Sequence, residues 1–427
     1  MQQLRDKMTG LIPEWRNEIH RLQVEHREAV VSQVSLGQLF KGLRGVNAIV
    51  CDTSYVDPVE GLFIRGIPVL ELVNRSGEEV FYLLCTGEFP TADGLNELRE
   101  SISSRRDVPE YVWKMIEAMP DNTHPMSLLS MAALAMQRES VFVKRYREGM
   151  KREDYWEATL EDAVTILARM PVIAAGIFRQ KLRGKSRIEA DTSKGFSENF
   201  AHMLGLGIEQ PTFEEFVRQF VVVHSDHEGA NASVLASRVV NSSLSDLYYS
   251  ISGAMNCLAG PLHGLANQEC LKFCMEIYRH FDKVPSDEQL AVFIQQQLDN
   301  RRVIPGFGHA VLRQADPRFT AMYQFGKRVF PDGEMFSVVD ALQRVVPPLL
   351  IKQGKAKNPY PNIDGVSGCM LYHYGMTEME FYTVMFSTSQ ILGICAQLII
   401  NRAIYSPLIR PKSVTTRWLN GYTIDHH

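Results

Sequence analysis

Helical periodicity runs through most of this chain and limits its fold class more than any other feature. Apolar residues recur every three or four positions over 128–136, 165–180, 213–223 and 381–404, the spacing of one buried helix face. Clusters of proline and glycine punctuate these stretches at Asp57-Pro58, 87–90, Gly260-Pro261, Pro305-Gly306 and 359–361. Apolar alternation at period two is rare. Residues 63–70 read as one strand and 79–84 as a weaker one. The expected class is therefore all-α, with a minor β component. A chain of 427 residues, 45% hydrophobic, can bury a large core and suggests two or three domains. No long linker divides it, so a second domain is expected as an excursion within a discontinuous first. The longest apolar run, 384–400, is interrupted by Ser387, Thr388, Ser389, Gln390 and Gln397. It reads as a buried helix rather than a membrane span.

A net charge of −4 supplies neither a nucleic-acid surface nor a membrane surface. Seven cysteines lie dispersed with no CxxC pair, which reads as reduced thiols in a cytosol-like compartment. The first thirty residues carry Asp6, Glu14, Glu18, Glu25 and Glu28, unlike a signal or transit peptide. The expected location is the cytoplasm, or the mitochondrial matrix if a presequence has been removed.

Four segments gather reactive groups beside glycine or proline: His224 to Gly229, Gly260 to Gly264 with His263, Pro305 to His309 with Arg313 and Arg318 beyond, and Gly354 to Pro359 leading to Asp364. A histidine beside glycine or proline is more often a cap or a core residue than a catalyst, and His224 is assigned to the core. Gly306-Phe307-Gly308 lacks the third glycine of a dinucleotide fingerprint. His224 and His227 lack the glutamate of a zinc-protease motif, so no metal is expected. The combination points to one chemistry. Deprotonating the carbon beside a thioester needs a carboxylate base and a donor to the enolate oxygen. A ketone partner needs its own polarising donor. Dicarboxylates call for arginine, and coenzyme A phosphates call for Lys, Arg and the N–H groups of a glycine-rich loop.

These residues resemble the citrate synthase family in its eukaryotic-type branch, with 2-methylcitrate synthase as a close relative. The matching stretches are HSDHEGA from 224, AGPLHGLANQE from 259, VIPGFGHAVLRQADPRF from 303, QGKAKNPYPNID from 353 and IRPKSVTT from 409. The resemblance implies an acyltransferase that makes citrate from acetyl-CoA and oxaloacetate, with coenzyme A thioester as substrate and no cofactor. His263 would stabilise the enolate, Asp364 would take the α-proton and His309 would polarise the ketone. His227 and Arg318 would hold the oxo acid, and Arg410 would reach it from a second subunit. The loop from Val303 and Ile304 through Gly306 and Gly308 would receive the adenine. Arg313, Lys355 and Lys357 would face the phosphates, helped by Arg44 and by Arg152 of the other chain. The implied assembly is a homodimer. Its large domain would span 1–263 and 371–427, and a small domain, 264–370, would close over the site.

One departure stands out. Where the family carries a carboxylate-binding arginine in its long C-terminal helix, this chain has Gln390, in STSQILG. The loss leaves open weak oxaloacetate binding, another oxo acid or acyl-CoA, and a weakened CoA-binding paralogue. Lesser departures are Gly365-Val366 after Asp364, and Gly61-Leu62-Phe63-Ile64-Arg65-Gly66 near the N-terminus, where the family phrase carries one more arginine.

Overall fold

The structure is a computed structural model and describes residues 1–207, 210 and 212–425. The helices that build the site are α1 (Gly77–Thr86), α2 (Pro125–Ala135), α3 (Tyr155–Ile177), α4 (Thr212–Val223), α5 (Ala232–Ser242), α6 (Leu247–Leu258), α7 (Ala266–Phe281), α8 (Pro317–Val329), α9 (Glu334–Gln353), α10 (Asp364–His373) and α11 (Tyr382–Ala403). Among the described residues there is one antiparallel sheet, β1 (Ser54–Asp57), β2 (Gly61–Ile64) and β3 (Ile67–Pro68), in that order. Ser54 opposes Ile64, and Asp57 opposes Gly61.

Two strand expectations are corrected. The alternation over 63–70 does not run as one strand. The chain turns at Arg65 and Gly66, at φ of 49° and 78°, and is helical from Val69 to Leu72. Residues 79–84 belong to α1, not to a strand. Val80, Phe81, Leu83 and Leu84 are all fully buried, so no polar face marks the helical period. The start signal is Ser76 and Glu79, which form a reciprocal capping box.

α11 is the central element. Every residue in it but Phe386 is buried, and it packs on α3, α1 and α6. It is long and apolar enough to cross a membrane, but 94% of its apolar window is buried inside the protein. Its polar residues are accommodated locally: Thr388 and Ser389 hydroxyls donate to the carbonyls of Val384 and Met385, a bond available to hydroxyls inside a helix. Helices α7 to α10 pack chiefly on one another, α7 against α10 and α9, α8 against α10. Buried Cys270 and Cys274 on α7 lie beside Cys369 on α10. Cys85 and Cys395 are buried on α1 and α11. All seven cysteines are free thiols.

Candidate active site

His263 sits in the tight turn after α6, where the N–H groups of His263 and Gly264 both donate to the carbonyl of Gly260 (3.0 and 3.1 Å). Gly264 is required there. A Cβ on it would lie 2.1 Å from the Leu258 carbonyl oxygen. The His263 Nε2 accepts the backbone N–H of Ser233 at 3.2 Å and contacts the Ser233 hydroxyl at 2.9 Å. With Nε2 as acceptor, a neutral ring carries its proton on Nδ1. Burial lowers the pKa of this imidazole, so it is neutral at physiological pH. The Ser233 hydroxyl also faces Gln390 Oε1 and Asn231 Oδ1, each at 3.0 Å.

His309 has the opposite tautomer. Its Nδ1 accepts the backbone N–H groups of Val311 and Leu312, at 3.1 and 3.0 Å. The Nε2 is left to carry the proton. Burial first, then the positive charge of Arg318, lower its pKa to about 4. The ring of His227 lies 5.8 Å away. Burial, Arg318 and His309 push His227 down to about 3.

The loop before His309 is held against the loop before Asp364. Gly308 N–H donates to the Tyr360 carbonyl (3.0 Å), and Asn362 N–H donates to the Gly306 carbonyl (2.9 Å). Asn362 Nδ2 also donates to the Gly308 carbonyl, while its Oδ1 accepts the Asp364 N–H. The two glycines sit at φ of 80° and 95°, open to glycine at little cost. A Cβ on Gly306 would come 2.7 Å from the Cα of Gly365, so glycine at 306 permits this approach.

Asp364 is the first residue of α10. Burial raises its pKa to about 6, with Arg318 opposing and Asp316 adding to the rise. Arg318 is buried, and its Nε and Nη2 donate to the Asp316 carboxylate. Burial pushes Asp316 upward, but the charge and hydrogen bonds of Arg318 outweigh it and leave the carboxyl below its usual range. Asp316 Oδ2 also accepts the N–H of Ile363. The arginine is thus tied to the residue before the base.

His227 is placed by a buried polar network. Asp226 accepts the hydroxyls of Thr53 (2.5 Å) and Ser54 (2.9 Å) and the Gln397 amide (2.8 Å). Glu228 turns the chain at φ 61° and donates its N–H to Ser54. His224 is a core residue: it is 5% exposed, its Nδ1 bonds the Phe220 carbonyl, its ring stacks on Phe220, and burial lowers its pKa to about 3.

The remaining sequence candidates divide. Ile304 is buried and Val303 is exposed beside the glycine loop. Arg313 folds over the carbonyls of Val311 and Leu312, and its N–H bonds the Pro58 carbonyl. Lys355 and Lys357 are exposed in the loop that follows α9. Arg44, Arg152 and Arg410 are exposed. Arg152 stacks over Tyr405 and donates to its carbonyl. Sequence reasoning missed Ser233, Asp316 and Asn362. Asp316 precedes Pro317 and caps α8, a helix-start signal that could have flagged it. Ser233 carries no such signal. Among the described residues no group of three or more His, Cys, Asp or Glu side chains is arranged to hold a metal ion.

Two imidazoles and one buried carboxylate, set in an all-α frame, are the kinds of group that an acyltransferase forming carbon–carbon bonds requires. Comparison with known proteins agrees. A family model described as "Citrate synthase, C-terminal domain" matches residues 42–412. The chain is 40% identical to "Citrate synthase, mitochondrial" of Daucus carota and 39% identical to "Citrate synthase 4, mitochondrial" of Arabidopsis thaliana, over 98% of this chain and 90% of each relative. The chain belongs to the citrate synthase family. Solved relatives share the fold. The Thermotoga maritima enzyme has a TM-score of 0.73 at 27% identity, covering 88% of this chain and 95% of that one. The Pyrobaculum aerophilum enzyme has 0.78 at 26%, covering 91% and 95%. A Thermoplasma acidophilum citrate synthase, described as a ternary complex with carboxymethyl coenzyme A and oxaloacetate, has 0.76 at 23%, covering 90% and 97%.

Proposed function

We propose that this chain condenses acetyl-CoA with oxaloacetate and hydrolyses the resulting thioester, releasing citrate and CoA. The observation that carries the reading is the fixed tautomer of each imidazole: His263 is left with Nδ1–H and His309 with Nε2–H. Asp364 takes the α-proton of the acetyl group. His263 Nδ1–H stabilises the enolate oxygen as it forms. The enol carbon attacks the ketone of oxaloacetate, and His309 Nε2–H polarises that ketone and donates to its oxygen. Water then cleaves the thioester. A base with pKa about 6 is ionised at neutral pH yet stronger than an ordinary aspartate, as proton abstraction from carbon requires.

Arg318 and His227 hold the oxo acid in this reading. The backbone from Val303 to Gly308 takes the adenine, and Arg313, Lys355 and Lys357 take the phosphates of CoA. Arg44 and a second copy's Arg152 add to that cationic rim, and Arg410 of the second copy enters the oxo-acid site. The functional unit is then a homodimer. Residues 264–370 form a small domain that closes on a large domain of 1–263 and 371–427, excluding water until the condensation is complete. The tight packing among α7 to α10 supports that division. The mitochondrial names of the two plant relatives favour the matrix as its location. The test is thiol release. Free CoA is expected only when acetyl-CoA and oxaloacetate are both present, with citrate formed in equal amount. CoA release from acetyl-CoA alone, or none with both substrates at millimolar levels, rules the reading out.

A further inference from the structure

The Ser233 hydroxyl has one proton and three acceptors around it. His263 Nε2 lies 2.9 Å from Oγ, and Gln390 Oε1 and Asn231 Oδ1 each lie 3.0 Å from it. Only one of them can receive that proton at a time. His263 has the strongest claim. Its Nε2 already accepts the Ser233 backbone N–H at 3.2 Å, so that nitrogen bears a lone pair. A hydroxyl 2.9 Å from a lone pair is repelled unless it donates.

The two amides differ in freedom. Asn231 is half-buried, so its oxygen can turn to solvent. Gln390 is 2% exposed and Ser233 is fully buried. The backbone of Gln390 is fixed as well, because Gly393, one turn further along α11, donates its N–H to the Ser225 carbonyl at 2.9 Å. The Gln390 Nε2 is buried and finds no partner among the described residues. The two ends of a carboxamide occupy nearly the same space. A half-turn about the Cγ–Cδ bond sets the nitrogen against Ser233 Oγ. The N–H then has an acceptor and the hydroxyl proton is released to His263. The atom left alone is a carbonyl oxygen, which goes unpaired in proteins more readily than an N–H.

We propose that Gln390 is a positioning residue for His263: its amide N–H donates to Ser233 Oγ, the Ser233 O–H donates to His263 Nε2, and the imidazole is held with its own proton on Nδ1. The proposal rests on the condensation described above, in which that Nδ1–H meets the enolate oxygen. A proton added at Nε2 would break both bonds made there, so the relay also disfavours the imidazolium. Burial of the ring acts in the same direction. A side chain at 390 that only accepted would do the reverse. It would take the Ser233 proton, turn a lone pair toward Nε2 and draw the imidazole proton to that side, leaving Nδ1 bare.

The test reads the ring as well as the rate. Full-length protein labelled with 15N-histidine is examined without substrate, and His263 is identified by the signal lost in His263→Ala. The wild-type ring is expected as the neutral Nδ1–H tautomer. Ser233→Ala keeps the backbone N–H and loses the hydroxyl, so kcat should fall about tenfold with the KM for oxaloacetate unchanged. Gln390→Glu makes the relay titratable. A protonated carboxyl donates to Ser233 as the amide does, whereas an ionised one only accepts. This variant should gain an alkaline limb absent from wild type, with kcat falling by about 30-fold or more between about pH 7 and about pH 9.5. The His263 signal should change tautomer over the same range. A Gln390→Glu protein with the wild-type profile and the wild-type ring signal overturns the proposal. So does a Gln390→Met protein whose KM for oxaloacetate rises by about tenfold or more at unchanged kcat, since Gln390 would then be a direct contact of the oxo acid. The ring signal decides the relay even if no CoA is released, whereas absent turnover beside the expected signal counts against the condensation reading alone.

Discussion

Asp364→Asn lowers kcat by about a thousandfold, the middle of the range for loss of a general base, while oxaloacetate binds as tightly as before. Asparagine keeps the shape and the place at the start of α10 but cannot take a proton from carbon. The pH profile of kcat/KM for acetyl-CoA carries the same information. The pKa of Asp364 is raised to about 6, so the active, ionised form predominates above that pH and is lost below it. Activity should fall tenfold per pH unit on the acid side. Burial with Arg318 holds His309 near 4, below this limb, and burial lowers His263 from the ordinary imidazole range. A less than tenfold effect of the substitution, or an acid limb centred near 4, would move the base to another residue.

Gly393→Ala should destabilise the protein by about 3 kcal/mol, the upper end of overpacking costs, and should abolish oxo-acid binding in whatever folds. An added Cβ would meet the Ser225 carbonyl oxygen at 2.4 Å and Asp226 at 2.6 Å. Neither neighbour can yield cheaply. Ser225 presents backbone, and Asp226 is pinned by Thr53, Ser54 and Gln397. The strain therefore passes to His227, the next residue. Denaturant melts and calorimetry with oxaloacetate separate the two effects. Wild-type stability with wild-type affinity would show that the contact is looser than the packing indicates. Gly421→Ala is the control, since a Cβ there meets nothing within 4 Å.

Much of this architecture is legible in the sequence, and the exceptions have a common cause. α11 is visible because its apolar run is too long for a strand and is interrupted by Ser387, Thr388, Ser389, Gln390 and Gln397. The Gly306 and Gly308 turn is visible because positive φ selects glycine. α1 is hidden because burial on every side erases the helical period, leaving only the Ser76–Glu79 cap as a sign. Ser233 and Asn362 are hidden for another reason. Their partners, His263 and Gly308, lie 30 and 54 residues away, and no local pattern records a bond formed by tertiary packing. Gln390 is intermediate. The sequence displays the missing charge, but only the structure places the amide against Ser233.

The five buried thiols have a use unrelated to catalysis. Burial pushes Cys85 up to about 12, and Cys270 and Cys395 also lie well above the ordinary range through burial. Cys369 is raised by its contact with Cys274 as well as by burial. An alkylating reagent reaches such sulfurs only after the surrounding helices part. They fall into two sets, Cys270, Cys274 and Cys369 among α7 to α10, and Cys85 and Cys395 around α11. The order in which the sets become alkylated is thus an internal clock for which part of the molecule breathes first, readable by mass spectrometry without introducing a new cysteine.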